Sequence, residues 1–102
     1  MKRHLEGIRV IDLTAYLAGP YVTLNLAAMG AEIIKIENPG RGDPSRVMFQ
    51  PKERKIPPGN HSILYEFSNR NKKGITLNLS SEKGRDIAYR LIRDADGFFS
   101  NF

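Results

Sequence analysis

The chain of 102 residues contains no cysteine. This absence excludes disulfide bonds, thiolate nucleophiles and cysteine-based metal sites, and it is typical of a cytosolic protein. No apolar run approaches the roughly 18 residues that a membrane-spanning helix needs. Leu5-Glu6-Gly7 interrupts the basic N-terminus before the apolar core of a signal peptide can form. We therefore expect a cytoplasmic protein with no membrane partner.

Histidine is scarce as well, since the chain has only His4 and His61. They lie far apart, and neither has acids or another histidine at ligand spacing, so we predict no metal site. The sequence contains no serine nucleophile motif and no P-loop lysine motif. Asp12, inside a predicted strand, and Asp43, in a predicted loop, are expected to be structural carboxylates. The chain therefore offers no residue that we assign to catalysis.

The composition is that of a globular protein, with 40% hydrophobic and 26% charged residues. Sixteen Lys and Arg against 11 Asp and Glu give a net charge of +5, which favours an anionic ligand such as a nucleotide phosphate. A nucleic-acid surface needs exposed aromatic residues among the basic ones. Tyr65 and Phe67 precede the main basic run and are expected in the core, so we predict no nucleic-acid partner.

The first half of the chain has the pattern of a strand, a helix and a second strand. The segment Ile8–Leu13 is short, β-branched and mostly apolar, as expected of a buried strand. Pro20 fits the first turn of the helix that follows, with Thr14 as a possible cap and Gly30 as a left-handed end. The apolar segment Ala31–Glu37 is the second predicted strand.

The second half repeats this order after a long loop. Residues 38–60 are rich in Pro, Gly, Lys and Arg, and a loop of this length is expected to be functional or mobile. The segment His61–Phe67 is ambiguous and could form a short helix. The alternating apolar residues of Gly74–Leu79 predict a strand. A helix capped by Ser80 or Ser81 should follow.

One face of that last helix is predicted to be apolar. Its members are Ile87, Ala88, Leu91, Ile92 and Ala95. The segment Gly97–Phe102 is the final predicted strand. The order βαβ, loop, βαβ predicts an α/β fold with a Rossmann-like open parallel sheet. Because the chain stops on an apolar strand, we expect residues 1–102 to be a fragment of a longer chain.

Ligands of open α/β sheets bind at the carboxyl ends of the strands. Four segments are predicted to lie at that edge: Thr14–Gly19, Glu37–Arg46, Leu79–Ser81 and Asn101–Phe102. The second of these is full of hydrogen-bond donors and charges around two prolines and two glycines. We therefore interpret the loop after the second strand as part of a binding edge.

A dinucleotide is the first ligand to consider at this edge. The first strand-to-helix turn reads TAYLAGP and lacks the glycines that let a pyrophosphate approach a helix N-terminus. Glu37, which would take the ribose hydroxyls, is expected to be a loop cap or an ion-pair partner. The basic run Asn69–Gly74 is either a solvated turn or a phosphate-attracting segment, in which Arg70, Lys72 and Lys73 supply the charge.

Five phrases in order and spacing carry a resemblance to a known family. They are GIRVIDLT followed by AGP, then GAEIIKIE, GD, NRNKK and a strand-end NF. From about Leu5 to Phe102 the chain resembles the N-terminal part of class III CoA-transferases, a family that includes formyl-CoA transferase, carnitine CoA-transferase and alpha-methylacyl-CoA racemase. The resemblance implies a Rossmann-like sheet in a larger fold of two interlocked chains, hence a homodimer when full length.

The resemblance also implies a site for coenzyme A. The CoA-contacting positions would be Leu17, Ala18, Asn38, Leu77, Asn78, Leu79, Ser80, Asn101 and Phe102, with Lys72 and Lys73 near the polyphosphate. CoA and acyl-CoA would be substrates, with a carboxylic acid as second substrate and no tightly bound cofactor. The catalytic aspartate, which would form a mixed anhydride and then a CoA thioester, is expected beyond Phe102.

Two departures from the family pattern bear on the substrate. Formyl-CoA transferase has polar residues where this chain has Ala15-Tyr16-Leu17, which favours a more apolar acyl group than oxalate. Many relatives carry arginine where Asn38 stands, so one contact to CoA is weakened. We therefore expect the CoA-binding part of a CoA-transferase; the alternatives are an acyl-CoA racemase of the same family and a non-catalytic nucleotide-binding module.

Overall fold

The computed structural model describes residues 2–48 and 62–102. The elements are β1 (Arg9–Leu13), α1 (Ala18–Ala28), β2 (Glu32–Glu37), a short 3-10 helix (Pro44–Arg46), α2 (Ile63–Asn69), β3 (Lys73–Thr76), α3 (Glu82–Arg93) and β4 (Gly97–Ser100). The predicted α/β fold is confirmed. The predictions for most of the long loop and for His61 fall outside the described residues.

The four strands form one parallel sheet in the order β3-β2-β1-β4. In the β1–β2 ladder Asp12 lies opposite Lys35, and in the β1–β4 ladder Leu13 lies opposite Ser100. Because all strands run in the same direction, their carboxyl ends meet along one edge. The segments that follow β1, β2 and β4 are therefore neighbours in space.

Helix α1 begins two residues before Pro20, which lies in the first turn as predicted. Its N-cap residue is Leu17, and no side chain caps the helix. The prediction of Thr14 as the cap is wrong, because its hydroxyl donates to Asp12 instead. Gly30 adopts φ +107° after the helix, which confirms the left-handed end.

Serine side chains begin the other two helices. Ser62 accepts a hydrogen bond from the Tyr65 N–H, so the ambiguous segment forms helix α2. Ser81 accepts one from the Gly84 N–H and caps α3, as one of the two predicted alternatives. The apolar face of α3 is confirmed except at Ile87, which is exposed.

The starts of β1, β2 and β3 differ from the prediction by one residue each, and β3 and β4 end earlier than predicted. β3 pairs as far as Thr76, opposite Glu37, where β2 ends, and the Leu77 N–H still donates to the Glu37 carbonyl at 3.1 Å. Leu77 follows the ladder directly and Leu79 lies in the turn before α3, and both pack on the α3 side of the sheet. β4 ends at Ser100, so the last two residues lie past the ladder. Among the described residues no helix has the length and apolar character required to cross a membrane.

A core cluster lies on each face of the sheet. On the α1 side Val10, Ala27, Ala31 and Ile33 are buried together. On the α3 side the buried residues are Ile11, Ile36 and Ala88. The expectation that Phe67 belongs to the core is wrong: its ring is exposed and stacks on Tyr21, with 6.4 Å between ring centroids.

Candidate functional site

The main cleft of the described residues lies at the carboxyl edge of the sheet. Its volume is about 400 Å³. The lining residues are Leu13, Thr14, Ala15, Tyr16, Ile36, Glu37, Asn38, Gly42, Asp43, Pro44, Leu79 and Phe102. They come from the ends of β1 and β2, from the chain after β3 and from the residues after β4. The cleft therefore lies where open α/β sheets bind ligands.

The loop between β1 and α1 forms one wall of this cleft and is held by buried side chains. Asp12 Oδ1 accepts from the Thr14 N–H at 2.8 Å and from the Thr14 hydroxyl. Lys35 Nζ donates to the Thr14 carbonyl at 3.0 Å. The Asn101 amide accepts from the Ala15 N–H at 3.0 Å and donates to the Ala15 carbonyl at 2.8 Å. Residues of β1 and β2 and a residue that follows β4 thus hold this loop in position.

Asp43 joins the two loops that border the cleft. Its Oδ1 accepts from the Tyr16 N–H at 3.1 Å and from the Ser45 N–H at 2.9 Å. Its Oδ2 is 2.8 Å from Lys35 Nζ. Burial by itself raises the pKa of Asp43, but the hydrogen bonds from Lys35 and the backbone outweigh it and lower that pKa. The carboxylate is therefore ionised at neutral pH.

A second buried ion pair lies beneath the first turn of α1. Lys72 Nζ is 3.0 Å from Asp12 Oδ2, and both side chains are almost fully buried. The ammonium also donates to the Pro20 carbonyl and to Asn69 Oδ1. Burial lowers the pKa of Lys72, while Asp12 acts in the opposite direction. All three donors of the ammonium are used by the protein itself.

Glu37 organises the loop after β2. Arg46 donates to both of its carboxylate oxygens, the Tyr65 hydroxyl donates at 3.0 Å, and the Asp43 N–H donates at 2.7 Å. Although burial raises the pKa of Glu37, these donors lower it to about 2. Burial and the nearby Glu37 carboxylate raise the pKa of Tyr65. The expectation that Glu37 is an ion-pair partner is confirmed, and its oxygens are occupied within the loop.

A smaller cleft of about 260 Å³ adjoins the first. It is lined by Glu37, Asn38, Gly40, Arg41, Gly42, Arg46 and Thr76. The loop singled out from the sequence thus contributes to both clefts. Gly42 has φ +67°, and a Cβ there would lie 3.1 Å from Arg46 Nε, so glycine lets this loop pack closely on its own ion pair.

The structure brings part of the predicted CoA-contacting set together. Asn38, Leu79 and Phe102 line the main cleft. Leu17 and Ala18 directly follow Tyr16, which also lines it. Asn101 binds the Ala15 backbone and shapes the wall from behind. These positions remain predictions as ligand contacts.

The other predicted residues have different surroundings. Leu77 packs in the apolar cluster on the α3 side, and the Asn78 side chain accepts from the Ser80 N–H in a turn. The Lys72 ammonium is buried against Asp12. Lys73 begins β3 and pairs with Glu32, the first residue of β2, at the amino edge of the sheet. Neither residue lines the clefts described above, and their role near a polyphosphate stays a prediction.

Sequence analysis gave no ligand role to Leu13 and Ile36 of the cleft wall. It linked Tyr16 to the choice of acyl group but did not predict its backbone, which has φ +70°; its side chain is half exposed. No local pattern marks a tyrosine for the left-handed region, because the tertiary bond to Asp43 fixes its backbone. The Gly-Asp-Pro segment, by contrast, was recognisable from its turn residues. Among residues 2–48 and 62–102, no three acids or histidines form a metal-binding group.

Comparison with known proteins identifies a family and several sequence relatives for this chain. The model of the family described as CoA-transferase family III matches residues 5–102. The chain is 43% identical over 98 residues to succinyl-CoA:glutarate CoA-transferase of Homo sapiens, covering 96% of the chain and 21% of that protein. It is 37% identical over 102 residues to formyl-CoA:oxalate CoA-transferase of a Bradyrhizobium strain, covering 100% of the chain and 23% of that protein. The chain thus spans between a fifth and a quarter of these relatives' length.

Solved structures show the same fold. A CAIB/BAIF family protein from Brucella suis superposes with a TM-score of 0.88 at 33% identity, over 100% of this chain and 26% of that one. A hypothetical protein from Mycobacterium tuberculosis gives a TM-score of 0.79 at 33% identity, over 94% of this chain and 24% of that one.

Proposed function

Since the chain belongs to CoA-transferase family III, we propose that it forms the CoA-binding N-terminal part of an acyl-CoA:carboxylate CoA-transferase. The substrates would be an acyl-CoA and a carboxylic acid, and CoA would be exchanged between two acyl groups. The catalytic aspartate is proposed to lie beyond Phe102. The intact protein is proposed to be a cytoplasmic homodimer that holds no cofactor other than its CoA substrates.

The observation that carries this proposal is the cleft at the carboxyl edge beside the start of α1. The first turn of α1 has no side-chain cap, and its backbone donors toward an anion are the N–H groups of Ala18 and Gly19, since Pro20 has none. Leu13, Ile36, Leu79 and Phe102 give the cleft apolar walls. A nucleotide with a polyphosphate and an apolar tail matches this combination of a polar helix start and apolar surface.

Turnover of the intact protein tests the proposal directly. We expect that incubation with an acyl-CoA donor and a free carboxylic acid gives the exchanged acyl-CoA, detected by chromatography and mass spectrometry. Epimerisation of a 2-methylacyl-CoA without exchange would identify a racemase instead. Binding of CoA without either reaction would identify a binding module.

A binding comparison tests the ligand independently of the chemistry. Titration calorimetry of the intact protein should give a Kd for CoA at least about tenfold lower than that for adenosine, since charge-assisted hydrogen bonds to phosphate are stronger than neutral ones. Equal affinities would contradict the assignment of CoA, because the phosphates would then contribute nothing.

A further inference from the structure

The Lys35–Asp43 ion pair is attached to both ends of the loop segment 14–16. Lys35 Nζ donates to the Thr14 carbonyl at 3.0 Å, and Asp43 Oδ1 accepts from the Tyr16 N–H at 3.1 Å. The two side chains are joined to each other at 2.8 Å. One ion pair therefore sets the distance between two backbone groups of the cleft wall.

This pair is poorly explained as a source of stability alone. Both side chains are only 1% exposed. Desolvating two charges offsets much of their attraction, and apolar residues of similar size often stabilise a core equally well. Apolar residues cannot hydrogen-bond the Thr14 carbonyl and the Tyr16 N–H. The orientation of the loop is what the charges specifically provide.

The backbone of Tyr16 needs such support. A non-glycine residue at φ +70° occupies a sparsely populated region, which persists only where surrounding contacts impose it. The bond from the Tyr16 N–H to Asp43 is such a contact. The next residue, Leu17, is the N-cap of α1, so the same bond also fixes where the helix N-terminus meets the cleft.

We propose that Lys35 and Asp43 are positioning residues, whose ion pair sets Tyr16 and the uncapped start of α1 in the geometry that binds acyl-CoA. The inference rests on the proposed function, since it takes CoA to occupy the cleft. The pair acts through the loop and is not assigned a step in the chemistry.

Kinetics of the intact protein test this role. Asp43→Ala removes the acceptor for the Tyr16 N–H and leaves Lys35 unpaired. We expect it to raise the KM for acyl-CoA and the Kd for CoA by about tenfold or more, since small misplacements of binding groups have effects of this size. The Kd for CoA reports on the CoA part alone, whereas the KM values also report on the acyl group, which residues 15–17 are expected to contact.

A double variant separates loss of loop positioning from the effect of leaving a buried charge unpaired. Lys35→Met combined with Asp43→Asn removes both charges but keeps an oxygen for the Tyr16 and Ser45 N–H groups. Its KM for acyl-CoA is expected between those of the wild type and Asp43→Ala. A wild-type KM in both variants would overturn the proposal and make the pair purely structural.

Ile11→Val is the matched control. Ile11 is fully buried on the α3 side of the sheet and lines neither cleft. This conservative change should lower the melting temperature while leaving the KM for acyl-CoA unchanged. A raised KM in this control would overturn the proposal, because general destabilisation would then explain the effect.

The wild type separates this inference from the proposed function. Absence of CoA binding and of turnover in the wild type would contradict the proposed function itself. An active wild type whose KM survives Asp43→Ala would contradict the positioning role alone.

Discussion

The two faces of the sheet differ in the residues that they bury. On the α3 side, Ile11, Ile34 and Ile36 pack on an apolar helix face. On the α1 side, the half near the amino edge is equally apolar, but the half near the carboxyl edge buries Asp12 and Lys35 as cross-strand neighbours. Among the described residues, the buried charges are thus confined to one quadrant of the sheet, the α1 side near the carboxyl edge.

That quadrant lies directly beneath the cleft loops. An apolar core stabilises a fold without fixing the direction of any backbone group. Buried ions cost desolvation energy but impose directed hydrogen bonds on the loops above them. We infer that the α3 face supplies stability and the α1 face supplies the geometry of the site.

The largest effects on stability are expected from substitutions of Asp12 and Ile11, which are adjacent in β1 and lie on opposite faces of the sheet. Asp12→Ala leaves the buried Lys72 ammonium without its carboxylate and should cost about 3–5 kcal/mol of unfolding free energy. Ile11→Ala on the other face should cost about 2–5 kcal/mol through lost packing. Denaturant unfolding of the intact protein measures both.

The double variant Asp12→Leu/Lys72→Met separates the two mechanisms. It should be clearly more stable than Asp12→Ala, because no buried charge remains unpaired. If the double variant loses as much stability as the single one, the charge of Lys72 is not the cause and the comparison between the faces fails.

Glu37 provides the pH-dependent test. Its pKa falls from an ordinary 4.5 to about 2 in the fold, so its ionised form stabilises the protein fully above pH 4.5. This contribution, at most about 3 kcal/mol, is lost as the pH falls from 4.5 towards 2. Glu37→Gln should lower stability at neutral pH and flatten that acid limb.

An exposed glutamate is the control for this experiment. Glu66 lies on the surface of α2, and Glu66→Gln should leave the acid limb as it is in the wild type. Thermal melts between about pH 2 and about pH 7 follow both variants over a range that contains the folded pKa of about 2 and the ordinary pKa of 4.5. An unchanged acid limb in Glu37→Gln would show that its ion pair with Arg46 does not stabilise the folded state.

Gly19, packed behind the cleft wall, and Gly74, in strand β3, differ in the space available for a side chain. A Cβ on Gly19 would lie 2.6 Å from Thr14 Cβ and 2.9 Å from Asn101 Cγ, whereas one on Gly74 would meet nothing within 4 Å. Gly19→Ala should therefore cost about 1–3 kcal/mol. Gly74→Ala should change stability by less than about 0.5 kcal/mol. Equal effects in the same unfolding assay would contradict the close packing of the loop.

The smallest expected effect concerns the helix starts. Ser81 caps α3, while the N-cap of α1 is Leu17, whose side chain makes no capping hydrogen bond. Ser81→Ala should cost about 1 kcal/mol. Denaturant unfolding of the intact protein measures this cost. No loss of stability would show that the cap does not stabilise α3.

The sequence allowed the fold to be predicted because its signals are local. Two βαβ patterns, Pro20 in a first turn and Gly30 after a helix each report on a few neighbouring residues. Where an outcome depended on a partner strand, the prediction failed. Leu77 and Leu79 continue the alternation of β3, but the ladder stops where β2 ends.

The position of the cleft was predictable from the sequence, but the buried ion pairs beneath it were not. The carboxyl edge and the Gly-Asp-Pro loop follow from strand order and turn residues. The roles of Lys72 and Asp43 do not, because each depends on a partner that only the tertiary fold brings near: Asp12 is 60 positions from Lys72, and Tyr16 is 27 from Asp43. A lysine next to a predicted strand looks exposed, and in the fold its ammonium is buried.

Hydrogen–deuterium exchange of the intact protein with and without CoA tests the central claim most directly. CoA should slow exchange at the amides of residues 15–19 and 38–43, which border the clefts, and leave the amides of α3 unchanged. Protection confined to α3, or binding without protection at these two loops, would show that CoA is held elsewhere.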